Sequence, residues 1–70
     1  MNKEIFAKAI AKVLIRYVQR DIKTVDITDL WLDTSIPKDL IVELLNENSV
    51  PIPEGLEKIK DGKKIVWRRT

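Results

Sequence analysis

The sequence predicts one mostly helical domain carrying a small antiparallel sheet, and three observations predict it. Apolar residues recur at helical spacing over residues 3–21 and again from Ser35 to about Asn48. A short β-branched run, Thr24-Val25-Asp26-Ile27, lies between those helices, and an Asp61-Gly62 pair separates two strand-like runs near the end. The chain has 70 residues, enough for one domain at most, and 44% hydrophobic with 34% charged residues is a globular balance. Ten Ile, seven Leu and six Val supply the aliphatic mass for a single core.

The first helix places Phe6, Ile10, Val13, Leu14, Tyr17 and Val18 on one broad apolar face, with Lys8, Lys12, Arg16, Gln19 and Lys23 opposite. Ile15 projects from that polar side. After the brief strand at 24–27, Thr28 or Asp26 can cap a short second helix through Asp29-Leu30-Trp31-Leu32 with a side-chain oxygen. Asp33-Thr34-Ser35 reads as a turn. The third helix starts at Ser35 or Ile36, tolerates Pro37 in its first turn, and buries Ile36, Leu40, Ile41, Leu44 and Leu45. Val50-Pro51-Ile52-Pro53 is extended, because each proline pushes the preceding residue toward β or polyproline geometry. With a two-residue Asp61-Gly62 turn, Leu56 faces Trp67 and Lys58 faces Ile65, while Lys60, Lys63 and Lys64 crowd the tip. Trp31 and Trp67 lie among aliphatics, and core packing is expected of both.

The net charge of +2 conceals a segregation along the chain. Residues 1–25 hold six basic and two acidic residues (+4), residues 26–57 one basic and eight acidic (−7), and residues 58–70 six basic and one acidic (+5). A field patterned this way steers partners more than the net charge does. Mutual neutralisation across the fold is the plainer account of the same charges.

Several function classes fall away. Without Cys or His there is no disulfide, thiol nucleophile, histidine base or Cys/His metal site. Ser35 and Thr34 have no base in a recognisable motif, and Gly55 and Gly62 are isolated, so no phosphate-cradling loop is present. Asp26, Asp29 and Asp33 have the spacing to share a helix face around Mg²⁺, but solvated acids near a helix N-terminus explain them more simply. No apolar run approaches the roughly 20 residues of a membrane span. The first residues lack the build of a signal peptide, so a cytoplasmic, non-enzymatic domain without cofactor is expected. One Gln, abundant Ile and Lys and no Cys match a thermophile's usage.

The order helix, strand, helix, turn, helix, two-stranded ribbon resembles the winged-helix family over nearly the whole chain. Val25 to Leu30 resemble its strand and second helix, Ser35 to Leu45 its recognition helix, and Lys58 to Arg69 around Asp61-Gly62 its wing. Two features depart from that pattern: the proline-bearing stretch Asn48 to Gly55, and a recognition helix carrying Asp39, Glu43 and Glu47 against Lys38 alone. Carboxylates entering a DNA groove are repelled by the phosphates that flank it. The resemblance therefore implies double-stranded DNA as partner, held by a basic wing through Lys58, Lys60, Lys63, Lys64, Arg68 and Arg69. Lys12, Arg16 and Lys38 are further candidate contacts. The alternative is a protein-docking module, such as a small subunit of a replication, transcription or division complex. There the acidic helices meet a basic partner and Val50–Pro53 offers a strand edge.

Overall fold

Asn2 opens the first helix, α1 (Lys3–Gln19), by accepting the Glu4 amide on its side chain at 3.0 Å. This computed structural model describes residues 2–69. Ala7, Ile10, Ala11, Val13 and Leu14 form the buried stripe of α1. The helix stops two residues before its apolar period does. Asp21 adopts a left-handed φ of 62°, the Ile22 amide reaches back to the Tyr17 carbonyl, and the Asp21 amide to that of Val18, each at 3.0 Å. This is a Schellman ending, which periodicity cannot register.

Strand β1 (Thr24–Asp26) follows, and Asp26 then caps α2 (Ile27–Thr34), its Oδ1 accepting the Thr28 amide at 2.9 Å. Of the two expected caps, Asp26 is used. Asp33 and Thr34, expected in a turn, complete the helix, which closes on left-handed Ser35 at φ 60°. The third helix, α3 (Lys38–Asn46), starts later than expected. Ile36 precedes a proline and is held out of helical geometry, so Pro37 becomes the cap and Ile36 packs in the core from outside the helix. At its far end left-handed Asn48, with Ser49 N–H on the Leu44 carbonyl at 3.0 Å, repeats the Schellman ending of α1. Residues 50–57 contribute no helix or strand, as the prolines require, but Val50 and Leu56 are buried.

A hairpin of β2 (Lys58–Asp61) and β3 (Lys64–Arg68) completes the fold. Its turn is Gly62-Lys63, one residue later than expected. Gly62 has φ 61° while Lys63 is not left-handed, the pattern of a II′ rather than a I′ turn. The slip and a bulge together change every partner: Lys58 faces Arg68, Ile59 faces Trp67, Lys60 faces Ile65 and Asp61 faces Lys64. Val66 is left as the extra residue of a bulge between the Ile59 and Lys60 pairings. Leu56 therefore does not pair with Trp67. Leu56 is wholly buried beside the sheet, whereas Trp67, expected in the core, is half-buried, and Trp31 is 44% exposed.

The described residues thus form three helices and a hairpin, a small α+β arrangement consistent with a winged-helix-like fold. The sheet, expected to be antiparallel, is mixed in the order β1-β2-β3. Strand β1 lies parallel to β2, with Val25 beside Ile59, because α2 and α3 return the chain to the starting end before β2 begins. Ile10, Leu14, Ile27, Leu30, Ile41, Leu44, Leu56 and Ile59 are fully buried where the helices meet the sheet.

Candidate nucleic-acid interface

Strand alternation decides which cations share a surface. Val25 and Ile59 are buried on the helix side of the sheet, so their neighbours Thr24, Asp26, Lys58 and Lys60 project from the opposite side. The register adds Arg68 beside Lys58 and Ile65 beside Lys60. The outer sheet face therefore carries Lys58, Lys60 and Arg68 around Ile65, which is 39% exposed. Lys63 in the turn and Lys64 at the start of β3 are exposed at the tip. Five of the nine expected contact residues fall on one hairpin surface or its tip in this way.

Arg69 makes contacts within the fold. Its Nε donates to the Leu56 carbonyl at 2.9 Å and Nη2 to the Pro53 carbonyl at 2.8 Å. The guanidinium also lies 5.5 Å from the Trp67 ring centre, and the Arg69 amide bonds the Glu57 carbonyl. Arg69 thus ties the proline-bearing loop to the base of the hairpin. Its partners lie 13 and 16 residues away, so no local pattern announces the role.

Asp26 fixes the tip. Besides capping α2, its Oδ2 accepts the Gly62 amide at 3.2 Å, across 36 residues. These hydrogen bonds, the Thr28 amide foremost, hold its carboxyl below the usual aspartate range, with the Lys60 ammonium assisting. The wing turn is therefore tethered to the helix–turn–helix body.

The remaining expected contacts lie apart from the wing. Lys12 and Arg16 are exposed on α1, which packs on α2 and α3 rather than on the hairpin. Lys38 lies 5.5 Å from the Trp31 ring centre at the start of α3, a cation–π arrangement. On α3 itself the acids are partly neutralised from within: Lys3 Nζ lies 3.3 Å from both Glu43 Oε2 and Glu47 Oε1. Hydrogen bonding to Glu43 and then Glu47 raises the Lys3 ammonium above the usual lysine range. Asp39 and Asn46 stay exposed.

Between α1 and α2 the Tyr17 hydroxyl donates to Asp33, and a recess of about 300 Å³ there is lined by Val13, Arg16, Tyr17, Arg20 and Asp33. Burial, and then the Asp33 carboxylate, pushes the phenol above its ordinary range, so Tyr17 stays protonated and serves as a donor rather than a base. Asp26 accepts the Thr28 and Gly62 amides. Among the described residues no group of three acids is placed to hold a metal ion.

Among the described residues no helix is long and apolar enough to cross a membrane. Comparison of the chain with protein-family models, with curated proteins and with solved structures finds no match.

Proposed function

We propose that this domain binds double-stranded DNA inside the cell through phosphate contacts led by its hairpin, and that it binds without catalysing. One observation carries the reading: Lys58, Lys60 and Arg68 project from the same sheet face, continued at the tip by Lys63 and Lys64. The winged-helix resemblance favours the same partner. Each phosphate neutralised by such a cation releases condensed counterions, so binding is sequence-tolerant and steeply salt-dependent. The tether from Asp26 to the Gly62 amide supports a wing that meets DNA already in position.

The test is a triple change of Lys60, Lys63 and Lys64 to Ala, measured on random duplex over a range of salt. Binding should weaken on every sequence, and the slope of log affinity against log salt should fall by roughly two to three. Affinity unaffected by the triple change overturns the wing-led reading.

A second reading has its own observation. Leu32 is 65% exposed and Trp31 44% exposed on α2, beside exposed Asp29 and Asp33. An apolar spot with acidic neighbours suits docking of a protein with a basic, partly apolar surface. On that reading duplex binding is weak at physiological salt. Changing Leu32 to Asp then abolishes protein association, while the lysine triple leaves it intact.

A further inference from the structure

Lys58 and Arg68 are direct cross-strand partners, and both are exposed. Like charges placed opposite each other on a sheet destabilise it, and among the described residues neither forms an ion pair with an acid. Arg69 stands beside them, and the three cations together with Glu57 line a cleft of about 370 Å³ at the hairpin base. Arg69 also lines this cleft, and two carbonyls and the Trp67 ring fix its guanidinium, leaving further donors of its fork uncommitted. Among the described residues the one carboxylate lining the cleft, Glu57, leaves a surplus of two positive charges.

We propose that this cleft is a binding site for one phosphate group, held by Lys58, Arg68 and Arg69. A phosphate oxygen between Lys58 and Arg68 would convert their repulsion into two charge-assisted hydrogen bonds, and the fixed guanidinium of Arg69 adds a donor with little ordering cost. The proposal deepens the nucleic-acid reading, and rests on it for the source of the phosphate. It places one phosphate at the wing base, separate from the lysines of the tip.

The experiment titrates the full chain with inorganic phosphate against sodium chloride at matched ionic strength and pH 7, following amide and arginine Nε–H resonances. A saturable shift centred on Lys58, Arg68 and Arg69 is expected, absent in chloride. The thermal midpoint should rise by roughly 5–10 °C at phosphate ten times its dissociation constant. Lys58→Gln and Arg68→Gln should each weaken phosphate binding at least fivefold. Each should also raise the midpoint in chloride by about 2–5 °C, since the repulsion is gone, which shows that the variants are folded. Lys8→Gln, exposed on α1, should leave phosphate affinity within twofold.

A short duplex with and without 5′-phosphates identifies the source. A backbone phosphate makes Lys58→Gln weaken both duplexes equally, whereas a terminal phosphate confines the loss to the phosphorylated one. Shifts that do not saturate, or spread evenly over the surface, overturn the site, as does a lowered chloride midpoint for Lys58→Gln. The lysine triple decides the DNA reading separately: loss of DNA affinity in the triple with no saturable phosphate shift sinks the cleft alone. Saturable phosphate binding with duplex affinity indifferent to the triple sinks the wing-led reading and leaves the cleft.

Discussion

Asp26 shows how one short side chain carries local and long-range information at once. Its cap on the Thr28 amide is legible in the sequence, because a strand passing into an apolar helical stretch needs a short oxygen acceptor at the junction. Its second bond, from the Gly62 amide, is invisible there, since 36 residues and the whole crossover separate the partners. Asp26→Ala should lower stability by about 1 kcal/mol at pH 7, as for other lost caps. Asp26→Asn, which keeps a neutral acceptor, should lose less than half of that. The folded-state carboxyl titrates below its unfolded value, so its contribution is present above the unfolded pKa of about 3.9 and is lost as pH falls through the folded value. Chemical denaturation between pH 2 and 7 should therefore show stability falling more steeply with acid in the parent chain than in Asp26→Asn; identical slopes would deny Asp26 this role. The tryptophans teach the complementary lesson. Trp31 and Trp67 sit among aliphatics in sequence, yet each instead offers its ring to a neighbouring cation, Lys38 or Arg69, at the edge of the core.

Among the elements, α1 and α3 were legible from periodicity, α2 from its capping residue and the hairpin from the Asp61-Gly62 pair, while most helix ends were not. All three helices close on a left-handed residue, Asp21, Ser35 and Asn48, none of which is the glycine that would mark a C-terminal cap in sequence. A left-handed residue with a side chain is disfavoured by about 1–2 kcal/mol, less for Asn and Asp than for others. Asp21→Gly should accordingly raise stability by about 0.5–1 kcal/mol, part of the relief being offset by the freer unfolded chain. A loss of stability in that variant would mean that the Asp21 side chain has a role beyond its backbone. The hairpin slipped by one residue for a similar reason: an Asp-Gly pair fits a I′ turn, but glycine is equally suited to the first central position of II′. The bond from Gly62 to Asp26 favours the second solution, and the shift and the bulge at Val66 together bring Lys58 and Arg68 face to face.

At the scale of the molecule, the basic–acidic–basic order along the chain becomes a spatial arrangement, and folding changes its meaning. The acids of α3 looked like an obstacle to DNA, but Lys3 from the first basic segment sits between Glu43 and Glu47 and cancels part of that field. Sequence could not show this, because those ion pairs span α1 and α3. One negative charge of the Glu43–Glu47 pair remains, together with Asp39, exposed in the first turn of α3, where it favours the helix dipole. If the wing leads DNA contact, Asp39 acts only as a distant, screened repulsion. Asp39→Asn should then raise duplex affinity by less than about threefold and leave the salt slope unchanged, with a stability loss of a few tenths of a kcal/mol. Glu43→Gln should change affinity still less, since Glu43 is already paired with Lys3. Were α3 lying in the major groove, Asp39 would stand close to phosphates, and its neutralisation would raise affinity roughly tenfold or more. Anisotropy titrations of both variants at three salt concentrations separate the cases, and a tenfold gain for Asp39→Asn would transfer the leading contact from the hairpin to α3.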